Sequence, residues 1–260
     1  MKIAIVTGAS SGMGREFIMQ IADRFGGISE IWAIARRRER MEELLPLVPV
    51  KLRVFPIDLT DDTKLMGLQD VLFEEKPEVK WLINAAGYGK IGAVGSASLN
   101  DELGMVELNC RALCAVTHMV LPYMSENSRI IQFSSAASFL PQPNFAIYAA
   151  TKSFVLSYSR ALNEELKSKG ILVTAVCPGP VRTEFFDVAE TTGRIPLYKK
   201  LVMADPKKVV RLALRDSMMG RTVSVYGTTM KAFRILSKFI PHTLILRLMK
   251  GLMREVENRR

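Results

Sequence analysis

Tyr148 and Lys152 have the residue types and spacing of a proton-transfer pair. They are four residues apart in a stretch with helical periodicity, so both side chains project from one face of a helix. A free phenol has a pKa of about 10, and we expect the nearby ammonium to favour the phenolate and lower that pKa. Such a pair could donate a proton to a carbonyl oxygen or remove one from an alcohol.

Two adjacent serines, Ser134 and Ser135, stand at the carboxyl end of a predicted strand. Open α/β sheets bind their ligands at this end of the strands. Because side chains alternate along a strand, the two hydroxyls point to opposite faces. A serine hydroxyl here would donate a hydrogen bond to a carbonyl oxygen as negative charge develops on it.

A glycine-rich turn follows the first predicted strand and opens a helix at about Met13. Its sequence is Thr7-Gly8-Ala9-Ser10-Ser11-Gly12-Met13-Gly14. Glycines allow a tight turn and close approach of the backbone to a pyrophosphate, and the helix N-terminus attracts anions. A P-loop is excluded because no Gly-Lys-Ser/Thr follows. The pattern favours a dinucleotide, although a glycine-rich turn without a ligand is the alternative.

Three consecutive arginines, Arg36, Arg37 and Arg38, end the second predicted strand, and no acidic residue occurs there. An acid at this position holds the ribose of NAD, whereas an arginine accommodates the 2′-phosphate of NADP. We therefore expect Arg36 and Arg37 to bind that phosphate. Arg38 is expected to begin a solvated helix, which is the alternative for all three.

Short β-branched runs alternate with longer amphipathic stretches. Strands are predicted at residues 3–7, 31–36, 52–56, 81–84, 129–134, 172–177 and 222–226, and helices at 16–25, 61–73, 102–123, 146–167 and 206–218. Nearly all-apolar strands that alternate with helices predict a parallel sheet covered on both faces. The expected fold is a single doubly wound α/β domain of Rossmann type over residues 1–228, with a basic amphipathic helical tail over 229–260.

Composition excludes several classes of protein. The chain has 260 residues, of which 48% are hydrophobic and 24% charged, which is incompatible with disorder or collagen. Three cysteines without a CxxC pair and two histidines make a disulfide framework or a metal site a poor expectation. The apolar run after Met1-Lys2 is too short for a signal peptide, so we expect a cytoplasmic protein.

Several motifs follow one another along residues 1 to about 228, and their ordered set resembles the short-chain dehydrogenases/reductases. They are Thr7-x-x-x-Gly12-x-Gly14, Asp58, Asn84-Ala85-Ala86-Gly87, Asn109, Ser135, Tyr148-x-x-x-Lys152 and Pro178-Gly179. The resemblance implies interconversion of a ketone or aldehyde and its alcohol by hydride transfer. Ala85 replaces the family's usual second asparagine, a departure expected to matter little.

The resemblance also implies roles for individual residues. The catalytic set would be Asn109, Ser135, Tyr148 and Lys152, because the family's spacing of thirteen residues between serine and tyrosine selects Ser135. Lys152 would also hold the nicotinamide ribose, and the backbone carbonyl of Asn109 would hold a water in a proton relay. NADP(H) contacts are implied for Gly8, Ser10, Ser11, Gly12, Met13, Gly14, Arg36, Arg37, Asp58, Leu59, Asn84, Ala85, Ala86, Gly87, Asn109, Tyr148, Lys152, Pro178, Gly179, Val181 and Thr183. Among these, Asp58 would contact the adenine amino group and Thr183 the carboxamide or phosphates.

Aromatic residues near the motifs suggest a lipophilic substrate such as a steroid, fatty or aromatic carbonyl. One group lies in the loop after the sixth strand, which the resemblance implies is a mobile lid; its members are Phe185, Phe186, Ile195, Pro196 and Tyr198. The other group lies between Ser135 and Tyr148 and contains Phe139, Leu140 and Phe145. The alternative is that half of them pack into the core. A non-catalytic NADP-binding sensor is the second functional hypothesis, but such proteins usually lose the tyrosine or lysine.

The net charge of +10 is concentrated in the tail. Residues 231–260 contain eight basic and two acidic residues, and apolar residues recur every fourth position from Leu244 and Ile245. This helical stripe could pack on the domain or on a second subunit, or lie in a membrane interface attracted by anionic lipid. The charge alone permits a nucleic-acid partner, but without a binding motif none is expected. We expect a homodimer or homotetramer.

Overall fold

A seven-stranded parallel sheet organises the part of the chain that the computed structural model describes, residues 1–190 and 203–247. The strands are β1 (Lys2–Thr7), β2 (Glu30–Ala35), β3 (Lys51–Pro56), β4 (Glu78–Asn84), β5 (Arg129–Phe133), β6 (Leu172–Val176) and β7 (Val223–Ser224). Their order across the sheet is β3-β2-β1-β4-β5-β6-β7. The seven predicted strands and the doubly wound topology are confirmed.

Helices cover both faces of this sheet. They are α1 (Gly12–Arg24), α2 (Arg38–Glu42), α3 (Asp62–Glu75), α4 (Leu99–Val106), α5 (Leu113–Val120), α6 (Ala146–Leu166), α7 (Phe185–Ala189), α8 (Pro206–Met218) and α9 (Thr228–Phe239). Residues 242–247 form a further helical segment. No helix within the described ranges is both long enough and apolar enough to cross a bilayer.

Because side chains alternate between the two faces of the sheet, an apolar core lies on each face. Every residue of β2 is buried, as expected for a strand covered on both sides. Ile31 and Ala33 pack on one side with residues of α1 and α8. Trp32 and Ile34 pack on the other side with α3, α5 and α6. These two layers fix the strands whose carboxyl ends carry the predicted site.

The strand order reverses between β1 and β4. The chain runs outward from β1 to β3, and then returns to place β4 on the other side of β1. Such a switch point leaves a crevice at the carboxyl ends of the strands, where ligands of open α/β sheets bind. The glycine turn after β1 and the turn after β4 both lie at this point.

The helix predicted over residues 102–123 is not a single continuous α-helix. A π-helical segment, Glu107–Ala112, separates α4 from α5. Asn109 lies in this wider turn, and its side chain bonds to the backbone of Tyr88 on another segment. Single π-turns inside α-helices occur frequently at functional sites.

The described part of the tail is likewise not one continuous helix but two helical segments. The first part, α9, ends at Phe239, and Ile240 adopts an extended conformation. The residue before a proline is sterically excluded from helical geometry, so Pro241 explains the end. The apolar stripe predicted beyond Arg247 lies outside the described residues.

Candidate active site

The carboxyl end of β5 and the first turns of α6 bring Ser135, Tyr148 and Lys152 together. Ser135 begins a 3-10 turn, Ala136–Phe139, and its Oγ accepts a 3.1 Å hydrogen bond from the Ala137 amide. Tyr148 and Lys152 face the same way from α6, with the lysine Nζ 5.6 Å from the centre of the tyrosine ring. The sequence spacing of these three residues therefore predicts their observed proximity.

The electrostatics of Tyr148 differ from the expectation. Burial raises the pKa of its phenol to about 12, although a hydrogen bond with Ser135 lowers it. Burial also lowers the pKa of Lys152 to about 8. The predicted lowering of the tyrosine pKa is wrong because burial removes the phenolate from water and penalises the charged form. Tyr148 thus carries its proton at neutral pH, as a general acid requires.

Two hydrogen bonds fix Lys152 against the end of β5. Its Nζ donates to the carbonyl of Phe133 at 2.9 Å. Its own backbone carbonyl accepts a 2.7 Å hydrogen bond from the buried hydroxyl of Ser134. The two adjacent serines therefore diverge as predicted, with Ser134 turned towards the backbone of α6 and Ser135 towards Tyr148.

Asn109 connects the π-helical segment to the loop after β4. Its Oδ1 accepts from the Tyr88 amide at 3.0 Å, and its Nδ2 donates to the Tyr88 carbonyl at 2.9 Å and to Thr151 Oγ1 at 3.1 Å. A Cβ at Gly87 would lie 2.7 Å from Asn109 Oδ1 and 3.2 Å from Lys152 Nζ. Glycine at position 87 therefore lets the loop approach both side chains.

The glycine turn has the backbone geometry that a dinucleotide site requires. Gly8 and Gly12 have φ values of +67° and +53°, in the left-handed region that glycine tolerates best. A Cβ at Gly14 would lie 2.2 Å from the Gly8 carbonyl oxygen, so the turn packs tightly on α1. A Cβ at Gly12 would lie 3.2 Å from Thr183 Cγ2, which places Thr183 directly over the turn.

The turn after β4 is tied to β1 by Thr7. Its Oγ1 accepts hydrogen bonds from the amides of Ala85 and Ala86, at 3.1 and 3.2 Å. The side chain of Asn84 instead points inward and donates to Thr117 Oγ1 at 3.0 Å. Among the predicted cofactor contacts, Leu59 and Val181 likewise have side chains buried in the two cores, which leaves their backbones for any contact with a ligand.

The arginines after β2 occupy different surroundings. Arg36 is exposed, with Nη1 3.9 Å from Asp58 Oδ2. Arg37 donates to Ser10 Oγ at 3.3 Å and to Glu184 Oε2 at 2.8 Å. Arg38 pairs with Glu42 on α2, as expected for a solvated helix start. Only the first two therefore lie beside the predicted cofactor residues.

Nearby positive charge lowers the pKa of two carboxylates in this region, those of Glu184 and Asp58. The hydrogen bond from Arg37 holds the pKa of Glu184 below its ordinary value, and a hydrogen bond from Ser11 adds to this. Burial tends to raise the pKa of Asp58, but two hydrogen bonds from Thr60 and the charge of Arg36 lower it overall. Both acids are therefore ionised at neutral pH, and Glu184 would compete with a phosphate for Arg37.

Aromatic rings surround Tyr148. Phe145 stacks on it with ring centres 4.3 Å apart, and Phe185 lies 5.4 Å away. Phe139, expected on the same side, instead packs against Phe233 of α9 at 6.1 Å. The predicted lining residues Ile195, Pro196 and Tyr198 lie outside the described residues.

These residues fit a nicotinamide dinucleotide. The glycine turn is tight because Gly8, Gly12 and Gly14 carry no side chain. The first amides of α1, which follows the turn, are available to bind a pyrophosphate. Within the ranges that the structure describes, no cluster of three or more His, Cys, Asp or Glu side chains could hold a metal ion. The arrangement can therefore bind a dinucleotide next to a buried, protonated phenol.

Four contributors were missed by sequence reasoning: Ser134, Tyr88, Thr151 and Glu184. Alternation along the strand predicts that Ser134 and Ser135 point to opposite faces, but it does not predict that Ser134 bonds to the backbone of α6. Thr151 lies inside the Tyr148-x-x-x-Lys152 motif, and that position was a usable signal. The pairing of Glu184 with Arg37 spans 147 residues, and no local pattern indicates it.

Comparison with known proteins gives consistent results. A family model described as short chain dehydrogenase matches residues 2–192. The chain is 34% identical to sulfoacetaldehyde reductase 2 of Chromohalobacter salexigens, over 70% of this chain and 74% of that protein. It is 28% identical to the very-long-chain 3-oxoacyl-CoA reductase of Mus musculus, over 98% of this chain and 81% of that protein.

Solved structures show the same architecture. A short-chain dehydrogenase from Sphingobium yanoikuyae in complex with NADPH matches with a TM-score of 0.77 and 25% identity, over 98% of this chain and 96% of that one. A short chain dehydrogenase/reductase from Burkholderia phymatum in complex with NAD has a TM-score of 0.77 at 21% identity, over 90% and 92% of the two chains. The second likeness concerns the fold alone.

Proposed function

The chain belongs to the short chain dehydrogenase family, and on that premise we propose that it interconverts a lipophilic ketone or aldehyde and its alcohol with NADP(H). It is an oxidoreductase that acts on C=O or CH–OH groups. The observation that carries the finer proposal is the placement of a buried, protonated Tyr148 beside Ser135 and Lys152, at the sheet edge that also holds the glycine turn.

Tyr148 acts as the general acid in the reductive direction. Its raised pKa keeps the proton on the phenol until a carbonyl oxygen accepts it. Ser135 donates a hydrogen bond to the same oxygen as negative charge develops on it. Lys152, with a pKa of about 8, is mostly charged at neutral pH and stabilises the phenolate that remains. In oxidation the same groups act in reverse.

The cofactor is held by the turn and its neighbours. The amides at the start of α1 would bind the pyrophosphate, with Thr183 over the same turn, and Lys152 would bind the nicotinamide ribose. When bound, NADP(H) supplies or accepts the hydride. Asn109 positions the loop at Gly87, which adjoins Lys152 Nζ.

Preference for NADP(H) is supported by charge at the end of β2. Arg36 and Arg37 flank the predicted adenosine site, and the carboxylate that would hold an unmodified ribose is missing from the strand end. The Sphingobium yanoikuyae structure is described with NADPH, whereas the Burkholderia phymatum structure is described with NAD. The arginines therefore carry this part of the proposal.

A lipophilic substrate is supported by the rings around the catalytic phenol. Phe145 and Phe185 contact Tyr148 on two sides and provide apolar area for a carbonyl compound. The very-long-chain 3-oxoacyl-CoA reductase acts on a fatty chain by its name, and its similarity extends over nearly the whole chain. The other relative is named for sulfoacetaldehyde, which is small and charged, and the support for a lipophilic substrate therefore rests on the aromatic surroundings of Tyr148.

The proposal is tested by NADPH consumption with a panel of carbonyl compounds. The panel contains steroid ketones, fatty 3-oxoacyl thioesters, aromatic ketones and sulfoacetaldehyde, each tested with NADPH and with NADH. We expect turnover with at least one lipophilic class and a higher kcat/KM with NADPH. Turnover with sulfoacetaldehyde alone would contradict the lipophilic class, and equal use of NADH would contradict the cofactor preference.

A further inference from the structure

Helix α9 packs on the active-site region with one of its faces. Met230 Sδ lies 2.8 Å from the position that a Cβ on Gly179 would take, and Phe233 contacts Phe139. Ser237 is buried on the same side. These residues are spaced by three and four positions and form one helical face. The inner face of α9 therefore covers the segment after β6 and the 3-10 turn after Ser135.

The outer face of α9 is apolar as well. Ile235, Leu236 and Phe239 are 58%, 53% and 79% exposed. They too are spaced by three and four positions, so they form a second face turned away from the domain. Leu244, in the helical segment that follows Pro241, is 49% exposed. A helix that packs on its domain does not need large exposed side chains on the opposite face.

Positive charge borders this outer face. Residues 228–247 contain four basic residues, Lys231, Arg234, Lys238 and Arg247, and no acidic residue. Lys231 and Lys238 are exposed and share one flank of α9 by their spacing, whereas Arg234 is half-buried and its charge acts on Cys177 beneath the helix. An apolar ridge with a basic flank has the charge and shape complementary to an anionic lipid surface.

An apolar cavity of about 500 Å³ adjoins the same segment. It lies between residues 138–143, the first turns of α6 and the side chains of His242 and Leu246. Fluid alkyl chains can fill a cavity of this kind without the matching shape that a protein partner would have to present. The cavity thus favours lipid over a second protein at this face.

We propose that the outer face of α9 and the segment that follows it form a docking surface for an anionic phospholipid bilayer. Ile235, Leu236 and Phe239 enter the boundary between headgroups and acyl chains, while Lys231 and Lys238 pair with lipid phosphates. Because the inner face of the helix covers the active-site region, docking holds that region close to the bilayer. The binding is peripheral and depends on salt.

Vesicle sedimentation of the full-length protein tests this surface. Vesicles contain phosphatidylcholine alone, or phosphatidylcholine with about one third phosphatidylserine. We expect binding to the anionic vesicles only, with release in about 1 M salt, where charges are screened beyond about 3 Å. F239Q and K231Q/K238Q should each lower the partition coefficient by about tenfold or more.

Matched variants elsewhere on the surface provide the controls. F73Q removes another exposed phenylalanine, 68% exposed against 79% for Phe239, from α3, and K207Q/K208Q removes two exposed lysines from α8. All four variants should keep the melting temperature and NADPH affinity of the parent protein. We expect the two control variants to bind anionic vesicles as the parent does.

Three results would overturn the proposal. One is parent protein that binds anionic vesicles no better than neutral ones. Another is an equal loss of binding in F73Q and F239Q, because the interaction would then be unspecific. The third is a lower molecular mass for F239Q in light scattering together with no vesicle binding, which would assign the outer face to a second copy of the chain.

Discussion

The Ser134 hydroxyl donates a buried 2.7 Å hydrogen bond to the backbone carbonyl of Lys152. The lysine side chain returns to the same strand end and donates to the Phe133 carbonyl at 2.9 Å. Lys152 is therefore fixed at its backbone and at its ammonium, and we propose that Ser134 positions it for the proposed chemistry.

Replacement of Ser134 by alanine should lower kcat several-fold and displace the pH profile of reduction. The Lys152 carbonyl keeps its backbone hydrogen bond within α6, so the lost hydroxyl costs only about 0.5–1.5 kcal/mol in the free energy of unfolding. Ser159→Ala is the control, since its buried hydroxyl donates to the Val155 carbonyl of the same helix at 2.6 Å. An S134A protein that is less stable but has an unchanged pH profile would reduce Ser134 to a structural role.

The rate of reduction should decline as pH rises through about 8. Burial depresses the pKa of Lys152 to about 8, so the ammonium is lost there, whereas Tyr148 keeps its proton until about pH 12. Loss of one required charge lowers kcat/KM by about tenfold for each pH unit above the pKa. Steady-state rates at constant ionic strength measure this. A constant kcat/KM from about pH 7 to about pH 10 would exclude the requirement for a charged Lys152.

Arg37 and Glu184 should have opposite effects on NADPH affinity. Arg37→Ala removes the proposed charged partner of the 2′-phosphate and should weaken NADPH binding by about tenfold, with little change for NADH. Glu184→Gln frees Arg37 from its 2.8 Å ion pair and should strengthen NADPH binding up to about fivefold. Fluorescence titration of both cofactors measures these constants.

Arg38→Ala is the matched control for the cofactor experiment, because that arginine pairs with Glu42 on α2. It should leave both affinities unchanged. If R37A and R38A weaken NADPH binding equally, the effect comes from general positive charge and the specific assignment of Arg37 is wrong.

Two glycine-to-alanine changes should have opposite outcomes. At Gly87 the new Cβ would lie 2.7 Å from Asn109 Oδ1, so we expect a loss of about 1–3 kcal/mol in stability and a marked loss of kcat. At Gly67, an exposed position inside α3 with open space, alanine should stabilise the helix by about 0.5–1 kcal/mol. Urea unfolding and turnover measure both. A fully active G87A enzyme would show that the loop can move away from Asn109.

Local patterns were sufficient to predict the sheet and the proximity of Ser135, Tyr148 and Lys152. The strands are short apolar runs buried on both faces, and Tyr148 and Lys152 are related by one helical turn. Features that depend on distant partners were not predictable in this way. The π-helical turn at Asn109 depends on Tyr88, and the environment of Arg37 depends on Glu184. The pKa of Tyr148 depends on burial by several elements, which residue spacing does not report.

Tyr148→Phe is the most direct test of the proposed chemistry, because it deletes only the hydroxyl that transfers the proton. The measurement pairs NADPH consumption on the best lipophilic carbonyl with a direct titration of NADPH binding. We expect turnover to fall by about 10²–10⁴-fold while the dissociation constant for NADPH stays within about twofold of the parent value. Y148F enzyme that retains a near-normal rate with intact NADPH binding would contradict the assignment of Tyr148 as the general acid.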